Sequence, residues 1–261
     1  MKLLTNKIYN CDCMYLINKI PTKSINIVLT SPPYNTSRPS AKGDSGAYNR
    51  RYDTFKDSMS DEDYIDWTIR MFKGYERILV KNGTVLYNLS YSTDKPHLMW
   101  MLIGKIIENT DFTIAECIPW KKTAALPNNM SPNRLTRICE FVFVFCRKSE
   151  TKTFYCNKKV TSKIQKTSQP IYENLFNFIE AQNNDGSTPL NKATFSSDLC
   201  RQLLRIYGKP GFIVLDSFLG TGTTAKACIE TKMEFIGSEI SKAQCEYADK
   251  IIKQTKRWQK F

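Results

Sequence analysis

The sequence predicts an α/β fold whose central sheet is mostly parallel, with an antiparallel hairpin at one edge. Strand patterns alternate with amphipathic helix patterns in the first and last thirds of the chain. A glycine-rich turn, SFLGTG, connects a strand pattern to a helix pattern near residue 220. Two strand patterns in the middle, the second rich in aromatic and β-branched residues, have no helix pattern between them. A chain of 261 residues, 41% of them hydrophobic, suits one domain with insertions.

The first half of the chain predicts alternating elements. Ser60 is a good N-cap and is followed by three acids, so a helix is expected from there to about Val80. The Lys81-Asn82-Gly83 turn is expected to end it. The remaining elements are a strand over 25–30, a strand over 84–89, a helix opened by Asp94-Lys95-Pro96 and running to about Asn109, and a strand over 113–119.

The second half begins with a strong strand pattern over 138–146, which is expected to pair with 113–119 as the edge hairpin. Residues 147–192 are polar and weakly periodic, and we interpret them as an inserted, partner-facing segment. The α/β pattern then resumes. Its elements are a helix over 198–207, the strand GFIVLD, the glycine turn, the helix TTAKACIETK, the strand EFIGSE and the helix KAQCEYADKIIKQ.

Charge and cysteine content narrow the class of protein. Lysine and arginine outnumber the acids by 38 to 25, which suits a polyanionic partner such as nucleic acid, although charge alone does not exclude a membrane surface. No apolar run reaches the roughly 18 residues of a spanning helix, and the first ten residues are too polar for a signal peptide. We therefore expect a cytoplasmic protein. The nine scattered cysteines are interpreted as reduced core thiols, and no metal site is expected.

The stretch LTSPPYN ends the strand over 25–30 in two consecutive prolines. Proline fixes φ and removes a backbone donor, so strand pairing stops and the loop stiffens. The result is a rigid corner that carries the Ser31 hydroxyl, backbone carbonyls and the Tyr34 ring. The carboxyl ends of strands in open α/β sheets are where ligands bind.

The glycine turn predicts a second ligand-binding element. Its glycines allow a tight turn and a close ligand approach at a helix N-terminus. A nucleoside triphosphate loop is excluded because Gly222 is followed by Thr-Thr-Ala rather than by Lys-Ser or Lys-Thr. Glu239 ends the next strand, 17 residues after Gly222, where a nucleoside-binding sheet places its ribose-binding carboxylate.

These motifs together resemble the amino-group DNA methyltransferases that use S-adenosylmethionine. The order of the T-S-P-P-Y corner before the D-x-F-x-G-x-G-T-T turn is similar to the circularly permuted, beta-type members. The resemblance implies a Rossmann-like methyltransferase sheet and S-adenosylmethionine as cofactor. Thr194-Phe195-Ser196 matches a further cofactor-edge motif by position only. The cofactor-binding residues that the resemblance implies are Asp12, Cys13, Asp216, Phe218, Gly220, Gly222, Thr223, Thr224 and Glu239.

The resemblance also implies a role for the corner. An exocyclic base amine is a poor nucleophile because its lone pair is conjugated into the ring, so acceptors must localise that lone pair. The Ser31 hydroxyl and the Pro32 carbonyl, held rigid by Pro33, are the expected acceptors, with Tyr34 stacking on a flipped-out base. Ser in this motif is the usual form for cytosine N4, so N4 is the predicted site and adenine N6 the alternative. Methylation at cytosine C5 is excluded because the chain has no Pro-Cys pair.

The DNA is expected to contact two basic segments. One follows the corner as a loop over the site, residues 36–59, and contains Lys42, Arg50 and Arg51. The other is the segment inserted at 147–192, with Lys148, Lys152, Lys158, Lys159 and Lys163, where the family inserts its target-recognition region. The expected division is therefore a catalytic half at 1–146, a recognition segment at 147–192 and a cofactor half at 193–261.

The predicted partners are double-stranded DNA, a cognate restriction endonuclease and a second copy of the chain, with location at the prokaryotic nucleoid. A non-catalytic nucleic-acid binder and an RNA methyltransferase are competing hypotheses. A protein glutamine methyltransferase, which shares an N-P-P-Y corner, fits less well because this chain has Ser in that position and the permuted motif order.

Overall fold

A computed structural model of the chain describes residues 4–35, 59–125, 127, 131–186, 190 and 194–258. The helices in these ranges are α1 (Cys13–Lys19), α2 (Asp61–Ile78), α3 (Leu98–Asn109), α4 (Ser197–Tyr207), α5 (Thr223–Glu230) and α6 (Lys242–Trp258). The strands are β1 (Lys7–Asn10), β2 (Ile25–Thr30), β3 (Leu79–Leu89), β4 (Phe112–Lys122), β5 (Cys139–Arg147), β6 (Val160–Lys163), β7 (Pro170–Tyr172), β8 (Ile179–Ala181), β9 (Ile213–Asp216) and β10 (Glu234–Glu239).

Eight strands form one sheet in the order β1-β10-β9-β2-β3-β5-β4-β8. Only β5 runs antiparallel to its neighbours β3 and β4 within this sheet. The strands β6 and β7 form a separate antiparallel pair. The predicted α/β class with a mostly parallel sheet is therefore confirmed.

Each face of the sheet is covered by three helices. Side chains along a strand point alternately to opposite faces, so each strand contributes to the core on both sides. On β2, Val28 packs with α1, α2 and α3, whereas Ile27 and Leu29 pack with α4, α5 and α6. All three side chains are buried. This layered arrangement explains why β2 is a continuous apolar run rather than an alternating one.

The segment after α2 differs from the prediction. The helix ends at Ile78, and Lys81-Asn82-Gly83 lies inside β3 rather than in a turn that ends the helix. Asn82 has a φ of 62°, and a Cβ on Gly83 would lie 2.9 Å from the Asn26 carbonyl oxygen. The polar triplet is therefore an irregularity within a strand, where two backbones approach closely.

The predicted hairpin forms, but it is not the edge of the sheet. β4 pairs with β5, and β8 then adds in parallel on the other side of β4, with Trp120 opposite Ile179. β8 comes from the segment interpreted above as an insertion. Three residues of that segment thus complete the central sheet, and its β6–β7 pair lies apart from the sheet.

The carboxyl ends of β1, β2, β3, β9 and β10 meet at one edge of the sheet, because these strands are parallel. This carboxyl edge contains both the Pro-Pro corner and the glycine turn. Within the described ranges no helix has the length and apolar character needed to cross a bilayer. The same ranges contain no cluster of His, Cys, Asp or Glu side chains arranged to hold a metal ion.

Candidate active site

The Pro-Pro corner leaves β2 directly over the carboxyl edge. The Pro33 carbonyl accepts a hydrogen bond of 2.7 Å from the Tyr64 hydroxyl of α2. The Pro32 carbonyl accepts none from the part of the chain that the structure describes. One carbonyl therefore anchors the corner, and the other keeps its acceptor capacity.

A polar network fixes the two side chains of the corner. The Ser31 hydroxyl lies 3.0 Å from the Tyr34 hydroxyl, which donates to Glu140 Oε2 at 3.0 Å. The Asn88 amide donates to the Tyr34 hydroxyl at 2.7 Å and lies 3.3 Å from Ser31 Oγ. Lys122 forms an ion pair with Glu140. Sequence reasoning missed Asn88, Lys122 and Glu140, because β3, β4 and β5 approach the corner only in the folded sheet.

Asn35, the last residue of the corner, ties it to the start of α2. Its side-chain amide accepts from the Met59 N–H at 2.8 Å and donates to the Met59 carbonyl at 3.0 Å. Asn35 is 1% exposed and has a φ of 52°, a conformation that Asn adopts more readily than most residues. Asn35 and Met59 thus stand at the beginning and the end of the predicted loop over the site. Lys42, Arg50 and Arg51, predicted in that loop, lie outside the described residues.

Asp216, predicted as a cofactor ligand, is buried between the corner strand and the glycine turn. Its carboxylate accepts from Thr30 Oγ1 at 2.7 Å, from Thr224 Oγ1 at 2.6 Å and from the Phe218 N–H at 3.0 Å. It is 1% exposed, and burial raises the pKa of the carboxyl group. Asp216 therefore joins the corner strand to the glycine turn without facing the cavity.

The two glycines of the turn have different roles. Gly220 and Gly222 both have positive φ, 54° and 90°. A Cβ on Gly222 would lie 2.9 Å from Ala248 Cβ on α6, so this glycine allows helix packing and does not line the cavity. Gly220 lines the cavity, and its N–H donates to Glu239 Oε2 at 2.9 Å.

A cavity on the carboxyl edge brings together most of the predicted cofactor residues and part of the corner. Ser31 and Pro33 form one end of its lining. Thr194 and Phe195 also line it, whereas Ser196 is the buried N-cap of α4. The predicted cofactor residues that line it are Asp12, Cys13, Phe218, Gly220, Thr223 and Glu239, while Asp216, Gly222 and Thr224 lie outside it.

Two carboxylates in this lining suit the sugar and base of a nucleoside. Glu239 accepts from the N–H groups of Gly220 and Ser241, and a carboxylate is the group that binds the hydroxyls of a sugar in nucleoside-binding sheets. Asp12 caps α1 through Oδ1, which accepts from the Met14 N–H at 2.8 Å. Its Oδ2 makes no hydrogen bond to the described part of the chain.

An aromatic wall of the cavity was not predicted in full. The rings of Trp67 on α2 and Phe218 in the glycine turn have centroids 5.6 Å apart and are inclined by 55°. Phe218 follows from the motif, but Trp67 had no local signal beyond its place on an amphipathic helix. The other lining residues that sequence reasoning did not assign are Cys11, Met59, Ser217, Leu219, Ser238, Ile240 and Gln244.

The predicted DNA-contacting lysines of the inserted segment do not lie beside the corner. β5 is antiparallel to β3, so its end at Arg147 lies where β3 begins, at the opposite edge of the sheet. Lys148 there donates to the carbonyls of Ile107 and Thr110 at the end of α3, and Lys152 follows it.

The neighbouring lysines follow the same edge. The Asn157 N–H donates to the Ile206 carbonyl at the end of α4, which brings Lys158 and Lys159 to the side where β9 begins. Lys163 lies on β6, in the separate strand pair. The structure thus brings the cofactor residues and the corner together and leaves these five lysines apart from them.

The fold and the cavity define an α/β methyltransferase of the S-adenosylmethionine-dependent class. The cavity has a carboxylate, an aromatic wall and helix N–H groups beside a rigid polar corner, and this lining fits an adenosine-containing cofactor. The chain belongs to the N6/N4 DNA methylase family, whose model matches residues 25–250. It is an S-adenosylmethionine-dependent DNA methyltransferase of cytosine-N4 or adenine-N6 type.

Sequence relatives and solved structures agree with this family. The type II methyltransferase M.BglII of Bacillus subtilis is 26% identical over 95% of this chain and 69% of its own. M.HinfI of Haemophilus influenzae is 24% identical over 96% of this chain and 69% of its own. The PvuII DNA methyltransferase, described as cytosine-N4-specific, superposes with a TM-score of 0.68 at 19% identity, covering 96% of this chain and 91% of its own. The M1.HpyAVI complex with SAM superposes with a TM-score of 0.59 at 20% identity, covering 94% of this chain and 98% of its own.

Proposed function

We propose that this enzyme methylates the exocyclic N4 amine of a cytosine that is flipped out of duplex DNA. The observation that carries the proposal is the position of Ser31, which lines the cofactor cavity at the end of a rigid corner. S-adenosylmethionine, when bound, supplies an activated methyl group. The corner supplies two acceptors, Ser31 Oγ and the Pro32 carbonyl, on the side from which a base amine would approach that methyl group.

The two acceptors would make the base amine more nucleophilic. The amine lone pair of cytosine is delocalised into the ring, and hydrogen bonds from both N–H groups to fixed acceptors favour a pyramidal nitrogen with a localised lone pair. Fixed acceptors cost no reorganisation at the moment of transfer. The anchoring of Pro33 by Tyr64 and of Asn35 by Met59 supports this role, because the two contacts hold the middle and the end of the corner.

The choice of cytosine rests on the Ser in T-S-P-P-Y, where an acidic or amide side chain is the usual form for adenine. We further propose the circularly permuted, beta-type arrangement, supported by the order of the elements: the corner after β2 precedes the glycine turn after β9. The corresponding division is a catalytic half at 1–146, a recognition segment at 147–192 and a cofactor half at 193–261. β8 qualifies this division, since it returns to the central sheet.

The DNA-facing surface is proposed to be the carboxyl edge around the corner. The link between β4 and β5 begins and ends at this edge, and residues 131–138 carry Arg134 and Arg137, both exposed. Arg137 lies with its guanidinium 5.2 Å from the Tyr91 ring centroid, just beyond the end of β3. These arginines suit phosphate contacts near a flipped base better than Lys148 or Lys152 do, because those lysines lie at the opposite edge.

We also propose a biological setting. The enzyme would belong to a type II restriction–modification system, with a cognate endonuclease that cuts the same sequence. The names of the two curated relatives, both type II methyltransferases, support this setting. Action on genomic DNA would place the protein at the nucleoid. The predicted homodimer remains a proposal as well.

The test is expression in a host that lacks DNA methylation, followed by mass spectrometry of the genomic nucleosides and sequencing of the modified sites. N4-methylcytosine is the expected product, and N6-methyladenine would keep the mechanism but reverse the base. Ser31→Ala should remove the product. Ser24→Ala is the matched control, because Ser24 precedes β2 at the end opposite the corner and its hydroxyl donates to the Pro21 carbonyl. If neither base were modified while the protein bound S-adenosylmethionine, the DNA proposal would be wrong and RNA would be the next substrate to assay.

A further inference from the structure

Glu140 forms a hydrogen bond with the corner but does not line the cofactor cavity. Its side chain is 15% exposed, and Lys122, its ion-pair partner, is 24% exposed. The neighbouring lysine of β4, Lys121, pairs with Glu180 of β8 instead, and this is an ordinary surface pair at 39% and 48% exposure. Glu140 also accepts from Asn88 at 3.0 Å and from Tyr34 at 3.0 Å. Three elements therefore converge on one carboxylate: the corner, β3 and β4.

The network allows only one direction for the hydroxyl protons. A carboxylate only accepts, so the Tyr34 hydroxyl proton points to Glu140 Oε2. The Asn88 NH₂ group only donates, so it supplies a proton to the Tyr34 oxygen at 2.7 Å. The Tyr34 hydroxyl has spent its single proton, so the 3.0 Å contact with Ser31 requires Ser31 to donate. Ser31 Oγ is left with its proton turned away and acts as an acceptor for the amine.

We propose that Glu140 is a positioning residue that acts through Tyr34 to hold Ser31 as an acceptor and to receive the proton released by the reaction. This inference rests on the proposed function. The amine nitrogen forms its bond to the methyl carbon with its lone pair, while the carbon–sulfur bond breaks and its electron pair stays on sulfur. The nitrogen then has one proton in excess.

The excess proton leaves along the same network. It passes to Ser31 Oγ as the Ser31 proton moves to Tyr34 and the Tyr34 proton moves to Glu140, which becomes a neutral carboxylic acid. Ser31 and Tyr34 end unchanged, so one proton has moved from the methylated amine to Glu140. The partial exposure of Glu140 lets it return this proton to water. Among the residues that the structure describes, the charged or titratable groups bonded to Glu140 are Lys122 from β4 and Tyr34 from the corner.

The test is a double-mutant cycle with Glu140→Gln and Tyr34→Phe on the full chain, using a duplex that contains the mapped site. Phe keeps the ring that stacks on the base but breaks the relay, and Gln keeps the shape but cannot take a proton. We expect kcat to fall about 10- to 100-fold in each single variant, with the KM for cofactor little changed. The double variant should be no slower than the slower single variant, because both changes break one path.

Glu180→Gln is the matched control, since it removes a carboxylate of the adjacent lysine pair that does not touch the corner, and its kcat should equal that of the wild type. The same cycle measured on Tm gives a readout independent of activity, and the Tm losses should also be less than additive.

Different outcomes identify which idea fails. The relay would be overturned by a wild-type kcat in Tyr34→Phe, by kcat losses that multiply in the double variant, or by a change in KM alone. The proposed function would stand in each of these cases. If the wild-type protein transferred no methyl group to DNA, the proposed function would fail, and this inference with it.

Discussion

The Thr30 hydroxyl donates a hydrogen bond of 2.7 Å to Asp216, across 186 residues of sequence. Thr30 is the last residue before the catalytic corner, and Asp216 is the last residue before the glycine turn. Both side chains are buried. One hydrogen bond thus links the corner, proposed to hold the target base, to the glycine turn, proposed to hold the cofactor. Methyl transfer is sensitive to the distance between these two elements because it needs in-line approach.

Thr30→Val should destabilise the fold and slow catalysis. The substitution keeps the β-branched shape but leaves a buried carboxylate with one donor fewer, which costs about 1–3 kcal/mol. Chemical denaturation measures the loss, and single-turnover kinetics measures the rate. Thr30→Ser is the control, because it keeps the donor, and it should retain most of the stability. Wild-type stability and rate in Thr30→Val would contradict a role for the hydrogen bond, and a loss confined to Thr30→Ser would assign the effect to the methyl group.

Asp216→Asn should change how stability depends on pH. Burial raises the pKa of Asp216 in the folded state above its unfolded value of 3.8. The folded state therefore binds this proton more tightly, and the stability that Asp216 contributes is present below pH 3.8 and is lost as the pH rises through the raised pKa. The variant has no such loss. The Tm difference, variant minus wild type, should thus increase with pH across this window, and a flat difference would contradict the assignment.

Gly222→Ala should destabilise the turn by about 1–3 kcal/mol, because the residue has positive φ and a new Cβ would press on Ala248 of α6. Cofactor affinity, measured by calorimetry, should fall with it as α5 moves. Gly104→Ala on α3 is the matched control, since no atom lies within 4 Å of the position that its new methyl group would occupy. That substitution should be neutral or stabilising by up to about 1 kcal/mol. Equal losses of affinity in the two variants would contradict a specific role for the turn.

Trp67→Ala should weaken cofactor binding about tenfold or more, because it removes one ring of the wall against which the adenine or its sugar would pack. Trp67→Phe should recover part of the affinity. Trp100→Ala is the control: this tryptophan lies on α3, packs on Phe141 and Phe143 and does not line the cavity. Calorimetric titration with S-adenosylmethionine measures all three. Unchanged affinity in Trp67→Ala would show that the cofactor lies elsewhere.

The elements near the glycine turn were predicted well because their signals are local. Strand β10 has the predicted bounds, and α4 begins one residue earlier than predicted. The Ser60 cap was also confirmed, as its hydroxyl accepts from the Asp63 N–H. The turn over Lys81-Asn82-Gly83 was predicted wrongly, because this triplet has the composition of a turn but lies within β3. Its strand conformation depends on pairing with β2, which no local pattern reveals.

The sequence by itself determined the fold class, the rigid corner at Ser31 and the glycine turn, since each depends on residues close together in the chain with specific backbone constraints. The tertiary structure decided which of those residues face the ligand. It buried Asp216 as a connector, turned Gly222 toward α6, and brought Asn88, Lys122 and Glu140 to the corner from three strands. Side-chain contacts between distant strands depend on sheet order and register, and these are set by packing of the whole core rather than by any short stretch.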